Sequence, residues 1–261
     1  MTLLLIVLFC LIGGLLSVVA ASAFLLIGDG VRVRLLPHLV SYAIGALLGA
    51  AFLGLLPHAL ESPGIEEAHG ITFAVLLGVL GFFLLEKMVL WRHCHSTHCE
   101  AHAPEEGHHH PHPSPAGSLV VVGDTIHNFV DGVLIAAAFL TDTHLGIVTA
   151  LAVAAHEIPQ ELGDFVILLN SGYTRAKALA LNILSSLGTV VGGVLAYFAL
   201  REVEAWLPYI LAVAAASFIY VAVADLIPGL HKKVQLSATL QQGLLIASGV
   251  LTIYIAHSTL H

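Results

Sequence analysis

A chain of 261 residues that is 58% hydrophobic and 10% charged, with a mean hydropathy of +0.94, cannot cover a water-soluble surface and belongs in a lipid bilayer. Nine Lys and Arg against 17 Asp and Glu give a net charge of -8, which leaves no basic face for phosphates and excludes nucleic acid as a partner. Seventeen histidines in so apolar a chain point instead to metal, because imidazole suits zinc and its neighbours; three cysteines imply no disulfide framework.

A spanning helix takes about 20 mainly apolar residues at about 1.5 Å rise each. On that measure the sequence predicts an all-α membrane protein of eight transmembrane helices in one polytopic domain, 1–261. The runs are Leu3 to Leu26, Leu39 to Leu60, Ile71 to Leu90, Leu119 to Leu140, Leu145 to Leu169, Ala176 to Leu200, Trp206 to Leu226 and Leu240 to Ile255. The first run lacks the basic leader of a signal peptide and is too long for one, so it is read as a helix.

Arg32, Arg34, Lys87, Arg92, Arg175, Lys177, Lys232 and Lys233 then fall on one side of the membrane, and Arg201 alone on the other. A frame error would scramble that sorting. By the positive-inside rule both termini are extracytosolic, in a multi-pass cell-membrane protein.

Between the third and fourth runs, residues 92–118 carry His93, His95, His98, His102, His108, His109, His110 and His112 among Pro and Glu. Such a segment offers no core to offset its ordering entropy. It is expected to be a disordered, His-rich cytosolic loop that buffers or senses metal.

Eleven of the 17 acidic residues lie in loops or at helix ends, which leaves Asp124, Asp131, Glu157, Glu161, Asp164 and Asp225 within spans. An Asp at membrane depth costs at least about 2.5 kcal/mol, so such groups face a polar interior and are functional candidates by default. In the fourth run Asp124, His127, Asn128 and Asp131 are spaced by three and four and share one helical stripe; in the fifth, His156, Glu157, Gln160, Glu161 and Asp164 do the same. Two such stripes facing one another would form a cage of imidazole, carboxylate and amide oxygen. Pro159 removes one backbone donor beside His156 and leaves a carbonyl for a cation or water to satisfy. In the sixth run Asn182 is the strongest contributor beside Ser185, Ser186 and Thr189, while His58 and Asp225 stand near helix ends as possible pathway mouths.

His-Asn-Phe-Val-Asp-Gly at 127–132, followed by His-Glu-Ile-Pro-Gln-Glu-Leu-Gly-Asp-Phe at 156–165, resembles the ZIP (Zrt/Irt-like) divalent metal transporters, most closely the LIV-1-type subgroup. The resemblance extends over nearly the whole chain, and it implies a three-plus-two-plus-three bundle with helices four and five at its centre. It also implies influx of divalent metal toward the cytosol, zinc foremost, with iron, manganese or cadmium as alternatives. The ligands it implies are His127, Asn128, Asp131, His156, Glu157 and Gln160, with Glu161 completing a looser neighbouring site. Asp131 stands where many relatives have Glu, and Gln160 where many have His or Glu. No cofactor is expected beyond the transported ion. The partners are that ion and the bilayer, with a homodimer as an open option.

An intramembrane zinc enzyme is the rival from another class, since His156-Glu157 opens like His-Glu-x-x-His; Gln160 fills the place of the second histidine, and no enzyme is expected. Cation-diffusion exporters share His-rich loops but usually have about six spans and a soluble C-terminal domain, which this chain does not match.

Overall fold

The structure is a computed structural model that describes residues 1–24, 26–65, 67–91, 115–231 and 235–260. Taking helical segments that continue without a break as one element, the described residues form α1 (Thr2–Phe24), α2 (Asp29–Glu61), α3 (Ala68–Trp91), α4 (Pro115–Thr141), α5 (Thr143–Asn170), α6 (Arg175–Leu200), α7 (Glu204–Leu230) and α8 (Leu236–Leu260), with no strand among them. Seven of the predicted runs lie inside these helices, and the first, Leu3 to Leu26, reaches two residues past the end of α1 at Phe24.

Helix ends differ from the apolar runs by a few residues at most places, and three of the differences have a local reason. The helical backbone of α2 begins about ten residues before the apolar run, at Asp29, and carries Arg32, Arg34 and the internal Pro37 with it. Polar caps along that extension satisfy carbonyls, with the Ser41 hydroxyl donating to Pro37 at 2.7 Å. α4 begins at Pro115, inside the segment assigned to the loop, because proline's fixed φ suits a first helical turn where its missing N–H costs nothing. The eight loop histidines lie outside the described residues. Finally, α6 takes Arg175 into its first turn behind the Thr174 cap, whose hydroxyl accepts from the Lys177 N–H at 3.3 Å.

Seven of these helices are long and apolar enough to cross a membrane; α5 is not among them. Its 28 residues give about 42 Å, ample for a bilayer, but its second half carries His156, Glu157, Gln160, Glu161 and Asp164. The least lipid-like helix is therefore the one whose surroundings must be protein. Fourteen of its residues are buried, Glu157 and Glu161 completely.

Close packing through small residues positions it. Gly188 and Gly192 form a small-xxx-small stripe on α6; a Cβ on either would meet the backbone carbonyl of Thr125 or Phe129 on α4, and one on Gly132 of α4 would meet Thr189. Without side chains at these three points α4 and α6 approach backbone to backbone. Gly45 and Gly49 of α2 do the same against Ile246, Val250 and Ile253 of α8. Both pairs run parallel, as alternate passes of an up-and-down chain must. α1 fills the other flank: a Cβ on Gly13 would stand 3.3 Å from Val153 of α5, and one on Gly14 would stand 2.9 Å from the Ser186 carbonyl of α6. A π turn breaks the α-helical pattern in α1 (Ile12–Leu16), α2 (Ala50–Leu55) and α7 (Val221–Leu226), and the first two lie against α5. The outer helices α3 and α8 expose Leu76, Leu80, Leu84, Leu244 and Leu251, the surface a bilayer solvates.

Candidate metal centre

The two predicted polar stripes meet. α4 presents His127 and Asp131, one turn apart, and α5 presents His156 and Glu157; one ligand atom from each falls within 4.8 Å of all the others. His127 Nε2 lies 3.1 Å from His156 Nε2 and 3.5 Å from Glu157 Oε1, and His156 Nε2 lies 3.2 Å from Asp131 Oδ2 and 3.7 Å from Glu157 Oε1. His127 Nε2 stands 3.8 Å from Asp131 Oδ2. Four donors held tetrahedrally at about 2.0 to 2.1 Å from zinc stand about 3.3 Å from one another, so these separations are those of a zinc-sized coordination shell. The donor set of two imidazoles and two carboxylates suits the same metal.

The surroundings orient this shell. His156 Nδ1 faces the Ala152 carbonyl one turn back at 3.1 Å, and because a carbonyl only accepts, Nδ1 carries the proton and Nε2 turns its lone pair toward Asp131 and His127. The His156 ring meets His127 edge-on at 5.4 Å between centroids and lies 6.2 Å from the Phe218 ring of α7, an apolar wall. His156 is buried; His127 keeps 23% of its side chain exposed, the more open edge of the cage.

Glu157 also belongs to a second group with Asp124 and Glu161, again within 4.8 Å. This group is all carboxylate. Both oxygens of Glu157, both of Glu161 and Oδ2 of Asp131 are buried with no hydrogen-bond partner among the described residues. Buried carboxylate oxygens without donors are costly in a bare protein, and a bound cation is the partner that relieves them. Asp124 stands in the α4 stripe but is not among the ligands that the resemblance implies. The signal that would have added it is its place one turn before Asn128, facing the second group.

The two amides take different parts. Asn128 is buried, donates through Nδ2 to the Asp124 backbone and side chain at 3.1 and 3.0 Å, and accepts from the Thr189 hydroxyl at 2.7 Å. It ties α4 to α6 and holds Asp124 in place. Gln160 turns its Nε2 toward Asp124 Oδ1 at 3.4 Å, on the carboxylate side of Glu157. Asn182 of α6 donates to the Glu161 carbonyl at 3.3 Å, bracing the backbone of α5. Asp225 sits exposed in the π turn of α7 and is a member of neither group.

A polytopic helical membrane protein built around an internal cage of this chemistry is a metal-handling one. The profile described as "ZIP Zinc transporter" matches residues 92–257. Zinc transporter ZIP13 of Pongo abelii is 34% identical over 230 residues, which cover 82% of this chain and 65% of that protein. Zinc transporter ZIP4 of Homo sapiens is 32% identical over 265 residues, 78% of this chain and 40% of that protein, and zinc transporter YKE4 of Saccharomyces cerevisiae is 33% identical over 162 residues, 59% and 46%. This chain therefore spans between about two-fifths and two-thirds of these relatives' lengths. It belongs to the ZIP zinc transporter family, as its paired α4 and α5 motifs implied, and that family is one of transporters, not enzymes.

Proposed function

We propose that this protein moves divalent metal ions, zinc foremost, across a membrane toward the cytosol by alternating access. One observation carries the reading: four mixed nitrogen and oxygen donors stand at tetrahedral spacing between two helices, backed by buried carboxylate oxygens that have no hydrogen-bond partner among the described residues. Zinc transport is also what the names of the relatives state of those proteins.

In this reading α5 is the eighth span, a polar helix sheathed by α1, α2, α4 and α6 so that only protein meets its charged face. The bundle takes the three-plus-two-plus-three arrangement with both ends of the chain extracytosolic, which puts Arg32, Arg34, Lys87, Arg175 and Lys177 in the cytosol. The ligands are His127, Asp131, His156 and Glu157, then Asp124 and Glu161, with Asn128 and Gln160 shaping the second group. Such donors exchange a cation readily, whereas an all-thiolate site would hold zinc too tightly to release it. The ion leaves its hydration shell for the cage as α4 and α5 open first to one side and then to the other. The His-rich segment between α3 and α4 buffers arriving metal on the cytosolic side.

Zinc uptake into proteoliposomes tests this. Wild type accumulates zinc, and His156→Ala, at matched protein abundance, is expected to lower uptake by about one to two orders of magnitude because it removes a ligand from the shell. Deleting residues 93–112 should leave substantial uptake. Transport that survives His156→Ala and vanishes with the loop would place the chemistry in the wrong segment. For orientation, Ser62→Cys in whole cells should react with an impermeant thiol reagent, and Ser237→Cys should not.

A further inference from the structure

The histidine pair of the cage has a counterpart at the end of the bundle. His58, on the last turns of α2, and His257, on the last turns of α8, meet edge-on with ring centroids 5.5 Å apart and planes at 78°; for His127 and His156 the values are 5.4 Å and 88°. The anchoring is the same as well. His58 Nδ1 faces the carbonyl of Gly54, one turn back, at 2.9 Å, as His156 Nδ1 faces Ala152 at 3.1 Å. In both cases the carbonyl fixes the tautomer and makes Nε2 the nitrogen that can bind metal. Both rings at the helix ends are half-buried, so they are reachable from water without being fully hydrated.

Their placement is fixed by packing rather than by chance. α2 and α8 run parallel and in contact through Gly45, Gly49 and Gly249, which brings residues 58 and 257 to the same level. Gly54 is also where α2 touches α5: a Cβ there would stand 3.3 Å from Leu145 and 3.7 Å from Val148. From that contact the α5 stripe leads through Thr149, buried with a hydroxyl that has no hydrogen-bond partner among the described residues, to His156 two turns further on.

We infer that His58 and His257 form a second, outer metal site that captures an imidazole-seeking divalent ion, zinc or cadmium, and hands it along α5 to the cage. The handoff rests on the transport reading above; the site itself does not. Two imidazoles hold such an ion less tightly than two imidazoles and two carboxylates, so the ion gains affinity at each step inward. A site that binds well enough to collect and weakly enough to release is what a mouth requires.

The test has two arms. In proteoliposomes, His58→Ala and His257→Ala are each expected to raise the zinc KM by about tenfold with the maximal rate within about twofold of wild type, and the double variant should be no worse than either single one, since one ion needs both rings. Replacing both residues by cysteine should restore a low KM for cadmium, which favours thiolate. Unchanged KM in both single variants, a lower maximal rate at unchanged KM, or multiplying effects in the double variant would overturn the handoff. The second arm needs no transport: zinc bound at equilibrium by the full chain carrying His156→Ala, measured with and without His58→Ala, should fall by one ion per chain. Bound zinc that does not change would overturn the outer site itself, whatever the transport result; a missing ion with no zinc uptake by wild type would uphold the outer site and sink the transport reading instead.

Discussion

The seam between α4 and α5 has two ends with different donor chemistry. Around His127, His156 and Asp131 it mixes nitrogen and oxygen; around Asp124 and Glu161 it is oxygen alone, with Asp164 one turn beyond on the same α5 stripe. Glu157 belongs to both. Zinc prefers the first set, because imidazole is a better match for it than carboxylate alone, so an ion moving from the mixed end to the oxygen end gives up affinity as it goes. The oxygen end lies toward the start of α4 and the finish of α5, the side assigned to the cytosol. In the proposed transport reading, the contrast makes the mixed end a place to select and dehydrate the ion, and the oxygen end a place from which to release it.

The largest effect is expected at the residue that joins the two ends. Glu157→Gln keeps the shape of the side chain and removes one charge from both groups, and it should lower zinc uptake on the order of a hundredfold, more than loss of either end alone. Uptake measured in proteoliposomes at several zinc concentrations checks this; a Glu157→Gln protein less impaired than Glu161→Gln would show that the two groups do not share a ligand in action.

A smaller and different loss should follow from neutralising the oxygen end. Asp124→Asn and Glu161→Gln leave the mixed shell whole, so zinc affinity should change by no more than about threefold while the maximal rate falls by about tenfold. Asp124→Asn also disturbs the Nδ2 bond from Asn128, which holds α4 against α6 through Thr189, so abundance and thermal stability have to be matched before rates are compared. A rise in KM at unchanged maximal rate would reverse the roles of the two ends.

Most of this seam was legible in the sequence because its residues repeat at three and four, and helical spacing alone puts them on one face. The two stripes named His127, Asp131, His156, Glu157 and Glu161 before any contact was known. Spacing does not say which way a side chain turns, and the amides show it: Asn128 and Gln160 sit in the stripes, yet their Nδ2 and Nε2 groups are turned to Asp124, with the Thr189 hydroxyl of α6 holding the Asn128 oxygen and Asp124 of α4 drawing Gln160 across from α5. The pairing of His58 with His257 was beyond reach for the same reason, since they are far apart in sequence and meet only because glycines let α2 and α8 close together. Helix ends were the other weak point. Apolar runs mark where lipid begins, whereas α2 continues as a helix through Arg34 and Arg32 beyond it.

The finest probe of the contrast is Gln160, which faces Asp124 on the oxygen side, one turn after His156 on α5. Its amide is neutral and a poor zinc ligand. Gln160→His would put a third imidazole at the border, turning part of the oxygen end into a mixed one. Zinc should then bind more tightly and be favoured over manganese, which prefers oxygen donors, by about three- to tenfold in competition. The release step should slow, because the affinity lost in passing from one end to the other is now smaller, so the maximal rate for zinc should fall as its KM falls. Competition uptake of zinc against manganese at matched abundance reads both quantities. An unchanged ratio together with unchanged zinc KM would mean that residue 160 never reaches the ion, leaving selectivity to the four residues of the mixed shell.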